Sequence, residues 1–199
     1  MMKKGIIDEK IVSQAANREI IFYLFRYRQE YLKGLVDKKT LDKINSLLEK
    51  VKSSEDNLPT VPAARRARKQ TEKDKEKGER GIYCGAAIEL KNGKIITGKN
   101  SPLLHTEAAC VLIAIKVLAE IPDPIDLLSP QIIESFKKIK GEVLKEESKR
   151  LELNEVLVAL AISGPTNPTV KKALEKLSEL RDCYLHTTHL PSLGDETIF

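Results

Sequence analysis

The sequence predicts an α/β fold, with a helical subdomain over residues 1–80 and an α/β layer domain over residues 81–199. Three observations carry this. The first eighty residues show apolar residues at helical spacing. Cys84–Leu90 is a small, apolar strand, and Asn92-Gly93 turns it back into Ile95–Thr97, because both turn residues tolerate positive φ. From Ala108 to Ala119 only Lys116 is polar, so the helix there is apolar nearly all round and must be buried.

Ser13 is placed to cap a first helix running to about Lys33, with Ile20, Ile21, Leu24, Phe25, Tyr27, Tyr31 and Leu32 as its broad apolar face and Gly34 as its stop. Asp37 caps a second helix, whose Leu41, Ile44, Leu47, Leu48 and Val51 form one stripe. The two pair as an antiparallel hairpin. Leu58–Pro62 reads as an extended linker, since each proline disfavours helix in the residue before it. A basic helix follows, punctuated by Gly78 and Gly81.

Gly98 frees the chain after the hairpin, and Lys99-Asn100-Ser101-Pro102 is a polar loop leading to the buried helix. Ile125–Leu128 is expected as a short strand. Ser129-Pro130 and Asn167-Pro168 are caps with proline at the first helical position. Asn154 can cap a helix over Glu155–Ser163, although Val156–Ile162 reads equally as a buried strand. Cys183–Leu190 is expected as the last strand and Pro191–Asp195 as loop.

Composition bounds the function. The 199 residues are 41% hydrophobic and 32% charged, and no apolar run approaches the roughly 18 residues of a membrane span. No signal-peptide apolar region follows Met1–Gly5, so a cytoplasmic protein without a membrane partner is expected. Cys84, Cys110 and Cys183 form no CxxC and read as buried free thiols. Between Pro62 and Arg80 eight basic residues face four acids, which leaves the rest of the chain nearly neutral. That segment reads as solvated surface, and without tryptophan or interleaved aromatics no specific nucleic-acid partner is expected.

The candidate chemistry gathers at the start of the buried helix, where backbone N–H groups and the helix dipole favour an anion or a nucleophile. His105 and Glu107 stand there as candidate catalytic residues. Lys99, Asn100, Ser101, Thr166 and Asn167 are the candidate ligand-binding set, and Asn100, Ser101, His105 and Thr166 are expected to converge on one polar cleft for a small anionic, nucleotide-like or sugar-phosphate-like ligand. His186 and His189, three apart in a strand, should point to opposite faces and so cannot both join His105 as metal ligands without a bulge. No metal ligand is assigned, and the cofactor is left unknown.

Two resemblances bear on this. Lys33–Lys38, Tyr83–Leu90, Thr97–Pro102, Ile121-Pro122-Asp123, Leu127–Pro130, Thr166–Thr169 and Gly194-Asp195-Glu196 resemble the C-terminal part of the prokaryotic family known as domain of unknown function eighteen-forty-six, or uncharacterised protein family three-seven-one. The resemblance implies a helical subdomain followed by an α/β domain and a longer protein, whose N-terminal α/β half is missing here. It implies no particular activity. Separately, the hairpin and His105-Thr106-Glu107 resemble the start of the cytidine-deaminase-like fold, which implies a three-layer sheet domain. In that chemistry the His and two Cys hold zinc and the Glu shuttles a proton. The resemblance would place the two cysteines at Thr166 and Thr169, and threonine is a poor zinc ligand. Two functions follow as expectations. One is a small-ligand binding or catalytic domain. The other is a structural module that forms homo-oligomers or packs against a missing N-terminal domain, with no activity of its own.

Overall fold

Two acidic caps and a glycine stop shape the first part of the chain. The computed structural model describes residues 8–74 and 77–196; Met1–Gly5, and Lys75 and Glu76 of the charged run, lie outside them. The chain divides into two compact units, Met1–Leu58 and Pro59–Phe199. In the first, helices α1 (Glu9–Leu32) and α2 (Lys38–Lys50) pack on one another. The cap of α1 is Asp8 rather than Ser13: its Oδ1 accepts the N–H groups of Lys10 at 2.9 Å and Ile11 at 3.3 Å. A carboxylate there also meets the positive end of the helix dipole, an advantage over a hydroxyl. Gly34 ends α1 as expected, at φ +73°, with Gly34 N–H on Tyr31 C=O and Leu35 N–H on Glu30 C=O. Asp37 caps α2 through Thr40 N–H at 2.8 Å.

The second unit opens with a correction. Thr60–Lys73 is helix α3, where an extended linker was expected up to Pro62. Pro59 occupies the cap and Pro62 the first turn, positions whose N–H would have no intrahelical partner anyway. Val61, Ala63, Ala64 and Ala67 are buried while Arg65, Arg66, Arg68 and Lys69 are exposed, so the basic run is a solvated face with an alanine seam behind it. That seam lies on the sheet. A Cβ on Gly85 would stand 2.3 Å from Ala64 O and 2.5 Å from Arg68 N. This helix, grouped with the hairpin in the sequence reading, therefore packs within the second unit.

Strands β1 (Gly85–Glu89), β2 (Ile95–Lys99) and β3 (Leu185–Thr187) form a small antiparallel sheet in the order β2-β1-β3. The register sets Ala87 opposite Thr97 on one side and His186 on the other. At the hairpin only Gly93 takes positive φ (+80°), and Leu90 exchanges hydrogen bonds with Gly93 and Lys94. Alternation then sorts the faces. Ala87 packs with Ala63 and Ala64 of α3, while Ala86, Ile88 and Ile96 join the main core with helix α4 (Thr106–Leu118). No residue of α4 is exposed, as its composition requires. Gly98 lets α4 approach, since a Cβ there would lie 2.5 Å from Thr106 O and Cys110 N.

The remaining elements are helices α5 (Pro130–Lys138, running into a π-helical turn at Ile139–Val143), α6 (Leu153–Ser163), α7 (Pro168–Leu174) and α8 (Leu193–Glu196). Ser129 and Asn167 cap α5 and α7 as expected. The segment left open between strand and helix is α6, and Glu152 rather than Asn154 caps it through a capping box with Glu155. No strand forms at Ile125–Leu128. Ile125 N–H turns back onto Pro122 C=O, and Leu127 and Leu128 are buried as core. The last strand stops at Thr187, and α8 occupies the expected terminal loop. The fold is thus mixed α/β, as expected, with a sheet of three strands. Among the described residues no helix is long and apolar enough to cross a membrane.

Candidate functional site

His105 is the N-cap of α4 and is held there by backbone. Its N–H reaches Leu151 C=O at 3.0 Å, Leu151 N–H reaches Leu103 C=O at 2.9 Å, and Leu104 bridges Leu151. That pairing lays the start of α6 beside the start of α4. Asp195 completes the junction from α8. It is 2% exposed. Its Oδ1 accepts Leu153 N–H at 2.8 Å; its Oδ2 accepts Ser192 Oγ–H at 2.7 Å and lies 2.7 Å from His105 Nδ1. Burial pushes the Asp195 carboxyl upward, but the bonds from His105, Leu153 and Ser192 outweigh it and hold the group below the ordinary aspartate value. Asp195 is therefore an acceptor, which puts a proton on Nδ1 of His105; in the neutral ring Nε2 then carries the lone pair. Nε2 is buried and has no hydrogen-bond partner among the described residues.

Glu107, in the first turn of α4, is 1% exposed, and neither of its oxygens has a hydrogen-bond partner among the other described residues. Its Oε1 lies 3.3 Å from His189 Nε2 but is not aligned as a hydrogen bond. Burial, then the negative charge of Asp195, pushes the Glu107 carboxyl up to about 7; His105 and Arg150 pull the other way. Burial, then His105, brings His189 down to about 4. The unpartnered buried atoms at this junction are His105 Nε2, both Glu107 oxygens and His189 Nδ1. The side chains of His189 and His105 remain 29% and 12% exposed, so solvent reaches one edge of the group.

His105, Glu152 and Asp195 also present ligand atoms within 4.8 Å of one another, although the sequence pointed to no metal ligand. One imidazole and two carboxylates suit a divalent cation. A separation of 2.7 Å between Nδ1 and Oδ2 is that of a charge-assisted hydrogen bond, and the arrangement is read as a His–Asp dyad.

Of the residues expected from sequence, His105 and Glu107 come together here and the others do not. Asn100 is 1% exposed and spends both ends of its amide on backbone, accepting from Cys84 N–H at 2.8 Å and donating to Ile82 C=O at 2.9 Å. Ser101 Oγ accepts from Leu103 and Leu104 N–H in a turn. Lys99 stands opposite Gly85 in the β2–β1 ladder. Thr166 is exposed and donates to Ser163 C=O, and Asn167 caps α7. Both follow the C-terminal end of α6, whereas Asp195 sits on Leu153 at its N-terminus. Eleven residues of helix put the two ends about 16 Å apart. The expected convergence of Asn100, Ser101, His105 and Thr166 does not occur. Of the two later histidines, His189 is the one in this group. The strand ends at Thr187, whose Oγ bonds His189 C=O, so strand alternation no longer governs His189 and it turns to Glu107.

Asp195, Ser192, Glu152 and Glu107's contact with His189 went unread. The trace in sequence is Gly194-Asp195-Glu196, a segment of the family resemblance, while Pro191–Asp195 reads as loop.

The family model described as "Domain of unknown function DUF1846, C-terminal" matches residues 56–199. A UPF0371 protein of Clostridium tetani is 40% identical over 195 residues, covering 98% of this chain and 38% of the relative. UPF0371 proteins of Clostridioides difficile and Clostridium botulinum are each 39% identical, over 197 and 193 residues. The chain spans 38% of the length of these curated relatives.

Proposed function

The chain belongs to the family of the domain of unknown function DUF1846, C-terminal, and we propose that it is a small-ligand catalytic domain working by general acid–base chemistry at His105. One observation carries the reading: a histidine whose Nδ1 is fixed by a buried aspartate while its Nε2 stands buried without a partner. A substrate proton brought to Nε2 would pass to the ring, and Asp195 would stabilise the imidazolium. Glu107, near neutrality in its acidity, is suited to return a proton. The finer fold reading, a three-layer cytidine-deaminase-like domain, rests on the strand–hairpin–strand–loop–helix run ending in His105 and Glu107 and on a helix against each face of the sheet. A cytoplasmic location rests on the free thiols Cys84, Cys110 and Cys183.

The test pairs a structural readout with turnover. Nitrogen-15 spectra of the imidazoles are expected to show His105 with its proton on Nδ1. In a panel of nucleosides, sugar phosphates and amines, any turnover is expected to fall about 10²–10⁴-fold in His105→Gln and substantially in Asp195→Asn. Activity that survives both substitutions, or a proton on Nε2 in the free protein, sinks the reading.

The second reading, an assembly module, is favoured by the apolar surface of the first unit, where Ile11, Leu32 and Leu35 are 63%, 66% and 70% exposed. Sedimentation of the wild type against Leu32→Glu tests it. A dimer lost in the variant supports assembly, and a monomer in both removes it.

A further inference from the structure

We propose that the group formed by His105, Glu107 and His189 receives a hydrogen-bond-donating head, an ammonium or amino group, and rejects phosphate and carboxylate. The inference rests on the His–Asp dyad reading and specifies what that site takes.

The argument is an inventory of donors and acceptors. Nδ1 of His105 spends its proton on Asp195, and in the neutral ring Nε2 offers only a lone pair. Glu107 is fully buried and both its oxygens are unpartnered. The ring nitrogen of His189 that faces this carboxylate is Nε2, at 3.3 Å, and its Nδ1 is buried without a partner. Four buried atoms, His105 Nε2, both Glu107 oxygens and His189 Nδ1, have no partner from another described residue, and with neutral rings and an ionised Glu107 they present acceptors. Buried acceptors left unpaired are costly, and a guest bearing N–H groups relieves that cost where one bearing only oxygens does not.

Charge points the same way. Asp195 is an ionised carboxylate held by three donors, and Glu152 lies beside it at ligand-sharing distance. Arg150, whose charge is felt at Glu107 and His189, commits Nε to Glu79 at 2.6 Å and to Ser148 at 3.3 Å. An anion entering here would face these carboxylates with little solvent between them, whereas a cation would be attracted. This reverses the sign of the ligand expected from sequence. That expectation rested on Lys99, Asn100, Ser101 and the helix N-terminus, and the side chains of Asn100 and Ser101 are spent on backbone. A nucleotide-like or sugar-like ligand remains compatible where an amino group, not a phosphate, meets His105.

The experiment titrates the whole chain with ethanolamine and, separately, with inorganic phosphate, following the imidazole nitrogen resonances of His105 and His189. Ethanolamine is expected to shift both resonances saturably and phosphate to shift neither. Glu107→Gln replaces an acceptor by an amide with a donor and is expected to weaken ethanolamine binding at least about tenfold. If that variant does not melt cooperatively, His189→Gln takes its place with the His105 resonance as reporter. A response to phosphate, no response to either probe, or undiminished ethanolamine binding in the variants would each overturn the proposal. So would Zn²⁺ alone occupying the group in preference to ethanolamine, which would assign the acceptors to a metal. These binding readouts are separate from turnover. A donor site without activity leaves this inference standing and removes the catalytic one; His105-dependent activity inhibited by phosphate does the reverse.

Discussion

Glu107 and His189 pull stability in opposite directions as pH changes. The folded-state pKa of Glu107 is raised from 4.5 to about 7, so its contribution is fully present below pH 4.5 and is lost as pH rises through about 7. That of His189 is lowered from 6.5 to about 4, so its contribution is present above pH 6.5 and is lost as pH falls through about 4. Each window is worth about 3 kcal/mol at the usual conversion between pKa and free energy. Between pH 4.5 and 6.5 the two slopes oppose one another, and Asp195, whose pKa is lowered from 3.8, titrates below that range. Urea unfolding at pH 4.5 and 6.5 is therefore expected to show little change in the wild type. Glu107→Gln should gain stability as pH rises and His189→Gln should lose it. Equal slopes in both variants would mean that neither group is titrating as its burial requires. At this scale the sequence singled out Glu107 through its place two residues after His105. Its charge state follows from burial, which no local pattern displays.

At the scale of elements, two glycines and one turn separate steric from conformational cost. Gly85 and Gly98 have no need of positive φ; they are glycine because α3 and α4 cross the sheet at those points. Gly85→Ala and Gly98→Ala must push a helix backbone away, and each is expected to cost about 1–3 kcal/mol or more in urea denaturation. A Cβ on Gly93 would meet nothing within 4 Å, but the residue sits at φ +80°. Gly93→Ala is expected to cost only about 1–2 kcal/mol, and a larger loss there than at Gly85 would contradict the close-packing account. The caps at Asp37, Ser129 and Asn167 were readable because a cap acts within three residues. The start of α3 was misread because Pro59 and Pro62 break helices in the interior but not in the first turn.

At the scale of the molecule, the second unit, Pro59–Phe199, contains His105, Glu107, Glu152, His189 and Asp195 together with α3. A fragment of residues 59–199 is expected to melt cooperatively and keep the His105 imidazole signal of the whole chain. A fragment beginning at residue 81, the boundary suggested by composition, loses the helix that covers Gly85 and Ala87 and is expected to aggregate or fail to melt cooperatively. Equivalent melts for the two fragments would show that α3 is dispensable to the sheet. The composition boundary followed the charged run, while the physical boundary follows the buried alanines threaded through it.

What short-range physics controls was legible in the sequence: the β1–β2 hairpin, the burial of α4, the caps at Asp37, Ser129 and Asn167, and the position of His105 and Glu107 at a helix start. The choice of Asn100, Ser101, Thr166 and Asn167 as ligand residues has a simpler local reading. Each of these side chains satisfies a nearby backbone group, and polar residues in loops carry the same signature whether they bind a ligand or hold a turn. Only the tertiary structure decided that Asp195 would reach His105 across 90 residues of chain, and that His189 would leave its strand to face Glu107. Those contacts follow from α8 fastening onto the first N–H of α6 beside the Leu104–Leu151 bridge, an outcome of packing between distant segments.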